Sequence, residues 1–154
     1  HDVSRFLSLC GNDIQCMKLA VLFQMTFMGI PSVFYGDEKG IAGLLEEEYR
    51  HPMPWETKAD TLEQFYHDAI RLRNENPELR KGDFRTVMAQ AGSGAYCYRR
   101  ALGSSSICVL LNNQSLGAEI PATLLDSAVL WQEGLMGRTI APMGFAVLKQ
   151  VKKQ

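Results

Sequence analysis

Residues 29–43 read GIPSVFYGDEKGIAG, and the class of the molecule turns on them. Residues 30–35 form a short, mostly apolar run, β-branched and aromatic, set between Gly29 and the turn-like sequence Gly36, Asp37, Glu38. That is the pattern of a strand buried on both faces in a parallel sheet. Upstream, Asn12 is followed three residues later by Gln15, the form of a capping box, and residues 13–28 contain neither Pro nor Gly, so a helix is predicted there. After Lys18 its apolar residues cover nearly the whole circumference, as in a helix packed between layers. A helix that leads into a buried strand is α/β grammar. Carboxylates just past such a strand stand where α/β barrels build their sites, so Asp37 and Glu38 are candidates to face a ligand. The plainer reading makes them turn residues whose side chains cap nearby amides.

Downstream the grammar changes. Residues 39–60 read as one long loop, of the kind that tends to carry function. Thr61 and Gln64 have the form of a second capping box, and Leu62, Phe65, Tyr66, Ala69 and Ile70 follow helical spacing until Asn76 and Pro77 stop it. After Gly82 short strands are predicted at 84–90, 95–102 and 106–111, separated by glycine turns at 92–94 and 103–105, with weaker ones at 118–120, 128–132, 138–141 and 144–151. Evenly spaced strands of this kind suggest an antiparallel sandwich or barrel. The boundary between the halves falls at residues 76–82.

The totals exclude several classes. The chain of 154 residues is 46% hydrophobic, enough for a packed core, and its 16 basic and 17 acidic residues leave a net charge of -1 with no long run of one sign. Neither nucleic acid nor an anionic membrane surface is an expected partner. Residues 19–36 carry no charge, but Gln24, Thr26 and Ser32 are scattered through them and Gly29 and Pro31 interrupt them, so two elements are predicted rather than a membrane span. No secretory leader is visible, but a chain without its own start does not testify about targeting, so localisation is left open with a cytoplasmic setting favoured. Cys10, Cys16, Cys97 and Cys108 lack CxxC spacing and the histidines stand singly, so no metal site is expected. Free buried thiols are the first reading of the cysteines, and a bridge between Cys97 and Cys108 across neighbouring strands is the second.

Six stretches in order carry a resemblance: HDVSRFL at 1–7, the helix, GIPSVFYGDEKGIAG, YRHPMPWE at 49–56, FYHDAIRLRNENPELRKGDFRTV at 65–87 and VLLNNQ at 109–114. Together they resemble the C-terminal part of the α-amylase family of glycoside hydrolases (family 13), of the neopullulanase and cyclomaltodextrinase type. The resemblance implies an α+β fragment. Residues 1–80 would be a remnant of a catalytic (β/α)8 barrel, two helices and about one strand, and residues 81–154 an antiparallel β-sandwich domain.

It implies site residues too. His1 and Asp2 resemble the end of the family's Asn-His-Asp motif, which makes Asp2 a catalytic carboxylate that stabilises the oxocarbenium-like transition state and His1 a ligand of sugar hydroxyls. Arg5 fits the basic residue that follows the motif and is read as structural. Residues 46–55 resemble the family's Asp-Pro-x-x-Arg-Arg-x-Met-x-Trp segment, so Arg50 and Glu46 are substrate-binding candidates, although Glu46 and Glu47 stand at the Asp-Pro position and His51 replaces the second Arg. Trp55 and Trp131 are read as packing.

A retaining glycosidase needs a nucleophile and an acid/base about 5 Å apart, and the family takes both from barrel strands that precede the matched region. The isolated chain is therefore expected to be inactive, its partner in the longer enzyme being an α-glucan oligosaccharide. No cofactor is expected, and calcium in the longer enzyme is left open. An incomplete barrel exposes apolar surface on which two copies could associate. The alternative is that the β part is a non-catalytic module for carbohydrate binding, with Tyr96, Tyr98 and Trp131 as stacking rings, or one that only packs.

Overall fold

The computed structural model describes residues 2–56, 61–89 and 95–151. The fold is α+β, and the chain divides into two compact units: residues 1–25 with 29–72, and residues 26–28 with 73–154.

The first unit is helical. After a short α1 (Phe6–Leu9), the long helix α2 runs Ile14–Thr26, shorter at both ends than predicted. Its start differs because Asn12 adopts φ 60, a left-handed conformation that Asn tolerates, and the cap passes to Asp13, whose Oδ1 accepts from the amides of Gln15 at 2.8 Å and Cys16 at 3.3 Å. Its end differs because Gly29 has φ 95, which breaks the helix. Met17, Val21, Leu22 and Met25 of α2 are buried, as are Leu62, Phe65, Tyr66 and Ala69 of α4 (Thr61–Glu75). The Lys18 ammonium lies 5.5 Å from the centroid of the Phe65 ring, and Lys39 pairs with Glu63 at 2.6 Å. Among the described residues no helix is long and apolar enough to cross a membrane.

The strand predicted at 30–35 is not formed. These residues join no ladder, and Ile30 is 97% exposed. A parallel strand is held only by bonds to its neighbours, and none of the described strands pairs with it. The Ser32 carbonyl accepts instead from Gln24 Nε2 at 2.7 Å. The run is apolar enough for a barrel strand, and its backbone lacks the partners that would make it one.

The second unit is built on a sheet. α5 (Pro77–Lys81) precedes β1 (Asp83–Ala89), β2 (Ala95–Leu102), β3 (Ser105–Asn112), β4 (Ala118–Glu119), β5 (Ala128–Met136) and β6 (Thr139–Val151). The glycine turn expected at 92–94 lies outside the described residues. All pairings are antiparallel. The order is β1-β2-β3-β6-β4, with β5 also on β6, so the antiparallel β part that was expected is formed, its strands joined through the long β6. Both β2–β3 and β5–β6 turn through two residues, led by Gly103 (φ 61) and Gly137 (φ 58), and such short loops require a positive φ. The two separate strands predicted at 138–141 and 144–151 are one: Pro142 sits in a stretch of β6 where the register against β5 slips between Glu133 and Leu135, and a bulge is where a strand accommodates a missing amide donor.

Side-chain alternation gives the sheet two covered faces. On one, Cys97, Cys108, Leu110, Ile140, Ala146 and Leu148 pack with Ile120 and Leu124. On the other, Tyr98 is 0% exposed, donates or accepts a 2.5 Å hydrogen bond with Thr26 Oγ1, and meets Phe27 and Phe84. Arg100 is buried there because its guanidinium is consumed by the carbonyls of Thr26, Leu79, Gly82 and Asp83 at 2.8–3.1 Å. Asn112 ends β3. Its Nδ2 donates to the carbonyls of Leu116, Ile140 and Ala141, and its Oδ1 accepts from the Gln114 amide.

Candidate active site

The N-terminal segment and the loop after residue 34 are tied together in the first unit. The Arg5 amide donates to Gly43 O at 2.9 Å, Ser4 Oγ to Leu44 O at 3.0 Å, and Ser8 Oγ accepts from the Gly43 amide at 2.7 Å. Gly43 is dictated by this closeness: a Cβ there would lie 2.5 Å from the Tyr49 nitrogen. The Arg5 side chain, 2% exposed, does more than any other. Its Nε donates to Tyr49 O at 3.0 Å, and its Nη1 to Tyr35 O and to Asp37 Oδ1, both at 2.8 Å. Its guanidinium lies over the Phe34 ring, 3.9 Å from the centroid. A planar fork with several fixed donors suits this spread of acceptors, a geometry that a lysine ammonium does not offer.

Within the loop, α3 (Glu46–Tyr49) is a single helical turn that the sequence reading assigned to irregular structure. Glu48 reaches back to accept from the Leu44 and Leu45 amides at 2.8 and 3.1 Å. These bonds to its charged form hold its carboxyl below the usual glutamate range. The turn places Arg50 four residues after Glu46, and Arg50 Nη1 meets Glu46 Oε1 at 2.8 Å. Arg50 Nη2 meets Asp2 Oδ1 at 2.9 Å. The three described candidates therefore form a continuous array, Glu46 to Arg50 to Asp2, open to solvent. His1 lies outside the described residues. In the same unit a groove of about 530 Å³ is lined by Ser8, Asn12, Gly43, Leu44, Glu48 and His51.

Asp37 and Glu38 are occupied within the loop, as the turn reading requires. Glu38 Oε2 accepts from the Gly36 amide at 2.9 Å. Asp37 is held by Arg5; burial lifts its carboxyl above the ordinary value, against the downward pull of the Arg5 hydrogen bond and charge. Trp55, read as packing, is instead 80% exposed, because the segment that carries it makes only a local turn, with its amide on Met53 O at 3.0 Å. Trp131 does pack, edge-on to Phe145 at 5.0 Å. The proposed stacking pair on β2 loses Tyr98 to the core. Cys97 and Cys108 are free thiols. What sequence reasoning missed is the set of loop pins, Ser8, Gly43 and Glu48. The visible signal was the GIAG sequence, whose second glycine had no assigned turn.

Residues 1–64 match the family model described as alpha amylase, catalytic domain. Neopullulanase 2 of Thermoactinomyces vulgaris is 40% identical over 116 residues, 74% of this chain and 20% of that protein. A cyclomaltodextrinase of Thermoanaerobacter pseudethanolicus is 40% identical over 117 residues, 75% of this chain and 20% of the relative. Among solved structures, the debranching enzyme of Nostoc punctiforme matches with a TM-score of 0.83 at 25% identity, over 97% of this chain and 34% of the other. The chain thus spans about a fifth of the length of the curated relatives it matches. With the family model matched over residues 1–64, relatives 40% identical over about three quarters of the chain and a structural likeness covering 97% of it, the chain belongs to the alpha-amylase family of glycoside hydrolases.

Proposed function

We propose that the chain is the carboxyl-terminal portion of a retaining α-glucan hydrolase that cleaves α-1,4 glucosidic bonds, with α-1,6 bonds as the second linkage. Maltooligosaccharides, cyclodextrins or pullulan would be its substrates. The observation that carries this reading is the array in which Arg50 bonds both Asp2 and Glu46. The names of the relatives, a neopullulanase and a cyclomaltodextrinase, agree with it. In this reading residues 1–80 close the catalytic barrel and residues 81–154 are its β domain.

Asp2 supplies negative charge beside the sugar carbon that becomes cationic as the bond breaks, a contribution worth most when the charge is already in place. Arg50 orients that carboxylate through Nη2 and, with Glu46, offers polar groups to sugar hydroxyls further along the chain of glucose units. His1 is assigned to hydroxyls of the central sugar. The nucleophile and the acid/base would come from sequence outside residues 1–154, so these residues alone carry no hydrolysis. Exposed apolar side chains of the first unit, Ile30 and Leu45 among them, would let two isolated chains associate. Burial of Tyr98 favours a packing role for the β domain over sugar binding.

The test is a chimera in which this chain replaces the matching final fifth of Neopullulanase 2. The chimera is expected to hydrolyse maltooligosaccharides and pullulan, and Asp2→Asn to lower its kcat by about 10²–10³-fold, as removal of one transition-state electrostatic contact does, with KM little changed. Unchanged kcat in Asp2→Asn, or hydrolysis by residues 1–154 alone, would overturn the assignment.

A further inference from the structure

Two arginines face each other across the β1–β2 hairpin. In its register Arg85 stands directly opposite Arg99, and Arg99 stands opposite Cys108 of β3, so the three side chains share one face of the sheet. Like charges directly opposite each other weaken a strand pair. Among the described residues the carboxylate that approaches them is Asp83, whose Oδ2 lies 3.6 Å from Arg99 Nη2. That is longer than the roughly 2.7–2.9 Å of a charge-assisted hydrogen bond, and Asp83 Oδ1 is taken by the Ala101 amide at 2.9 Å. Arg99 Nε is buried and has no hydrogen-bond partner among the described residues. The exposed Arg85 guanidinium makes no hydrogen bond or ion pair with any of them. Arg100, next along β2 and on the opposite face, is the contrast, since four carbonyls consume its donors. Both unsatisfied arginines line a groove of about 390 Å³ together with Thr86, Thr123 and Gln150. Gln150 Nε2 donates to the Thr123 carbonyl at 2.8 Å, which ties the short turn Ala122–Leu124 to β6 and fixes that wall.

We propose that Arg85 and Arg99 form a binding site for a phosphate group, carried by the free anion or by a monoester of a small molecule. Two guanidinium charges against the one Asp83 carboxylate leave one positive charge in the groove. A carboxylate ligand has one charge and two oxygens, enough for a single fork. A phosphate brings about two negative charges and three acceptor oxygens, so it can meet both forks at once and give the buried Arg99 Nε the acceptor it lacks. Its charge also turns the repulsion between the paired arginines into a shared attraction. The site lies wholly within the second unit and does not depend on the sugar-site reading of Asp2, Glu46 and Arg50.

The experiment titrates the whole chain with inorganic phosphate and, in a second arm, with glucose 6-phosphate, followed by calorimetry and thermal melts. Ionic strength is held constant with sodium chloride at about pH 7.5, where phosphate is mostly dianionic. One phosphate group is expected to bind per chain and to raise the melting temperature. Arg85→Gln and Arg99→Gln should each weaken binding about tenfold or more, as loss of charged hydrogen bonds does, and Arg85→Lys should recover part of it. Without phosphate, Arg85→Gln should melt no lower than the wild-type chain, because it removes a like-charge pair; it therefore serves as the test should Arg99→Gln fold poorly. Tighter binding of the ester identifies a monoester as the ligand, and equal or tighter binding of inorganic phosphate identifies the free anion. No binding of either probe, binding undiminished in Arg85→Gln, or the same response to chloride alone would each overturn the proposal.

Discussion

The loop of residues 35–50 and the sheet that begins at Asp83 are held by different physics. In the loop one buried guanidinium, Arg5, gathers the Tyr35 and Tyr49 carbonyls and the Asp37 carboxylate. In the sheet one face packs apolar side chains, the other adds the buried Arg100 to its aromatic rings, and every strand is paired along at least one edge. Polar pinning concentrates the stability of a segment in few groups, while a packed sheet spreads it over many. The candidate site sits on the pinned region, where a few polar groups set the geometry.

The contrast can be broken most severely at its pin. Arg5→Ala should cost the first unit about 3–5 kcal/mol, because it leaves the partly buried Asp37 carboxylate without its charge partner. Chemical denaturation followed in the first unit would show an earlier transition, and Arg5→Lys should recover only part of it. A smaller loss throughout would mean that the loop is held by its other contacts. In the sheet the comparable change is Leu110→Ala, at a residue 1% exposed, which should cost about 2–5 kcal/mol through transfer and cavity effects, read by the same method in the second unit.

Acid should distinguish the polar part of the second unit. Glu78 is 3% exposed. Burial alone would raise its carboxyl, but hydrogen bonds from Ser105 and Lys149 and the Lys149 charge outweigh that and hold it below its ordinary value of 4.5. A depressed folded pKa gives stability that is present above the unfolded value and lost as pH falls through the folded one. The second unit should therefore weaken below pH 4.5, and Glu78→Gln should flatten that dependence in thermal melts from pH 6 downward. The smallest effect is expected at Arg50→Ala, which should leave stability within about 0.5 kcal/mol, since its two ion pairs are exposed to solvent. A large loss there would make Arg50 a second pin and weaken its assignment to substrate.

The elements that could be read from the sequence are those whose signal is local. Helical spacing in residues 61–75 and the glycine turn before β3 are properties of a few adjacent residues, and α4 and the β2–β3 hairpin follow from them. The run at 30–35 has the composition of a strand, but a strand exists only with a partner, and composition does not reveal whether one is present. α3 was missed because three consecutive glutamates look like a solvated loop until Glu48 is seen capping Leu44 and Leu45. Two strands were expected at 138–141 and 144–151 where a bulge carries β6 through Pro142. At the site, the pairing of Arg50 with Glu46 is local, four residues apart, whereas its contact with Asp2 spans 48 residues and had no signal in the sequence; the resemblance named both residues without joining them. The position of Arg5 among carbonyls of a distant loop had no local signal beyond a charged residue set in an apolar stretch.

Asn112 carries one further consequence. Its side chain fixes the Leu116 carbonyl on one side and those of Ile140 and Ala141 on the other, so it measures the length of the connection that follows β3. The molecule's tolerance of insertions should for that reason be uneven along its sequence. Extra residues at Gly103, where the hairpin tip faces open space, extend a loop at little entropic cost. The same residues placed between 113 and 116 would pull apart an amide and four backbone groups. Natural variation in chain length among related sheets should accordingly collect at the hairpin tips and spare the span after Asn112.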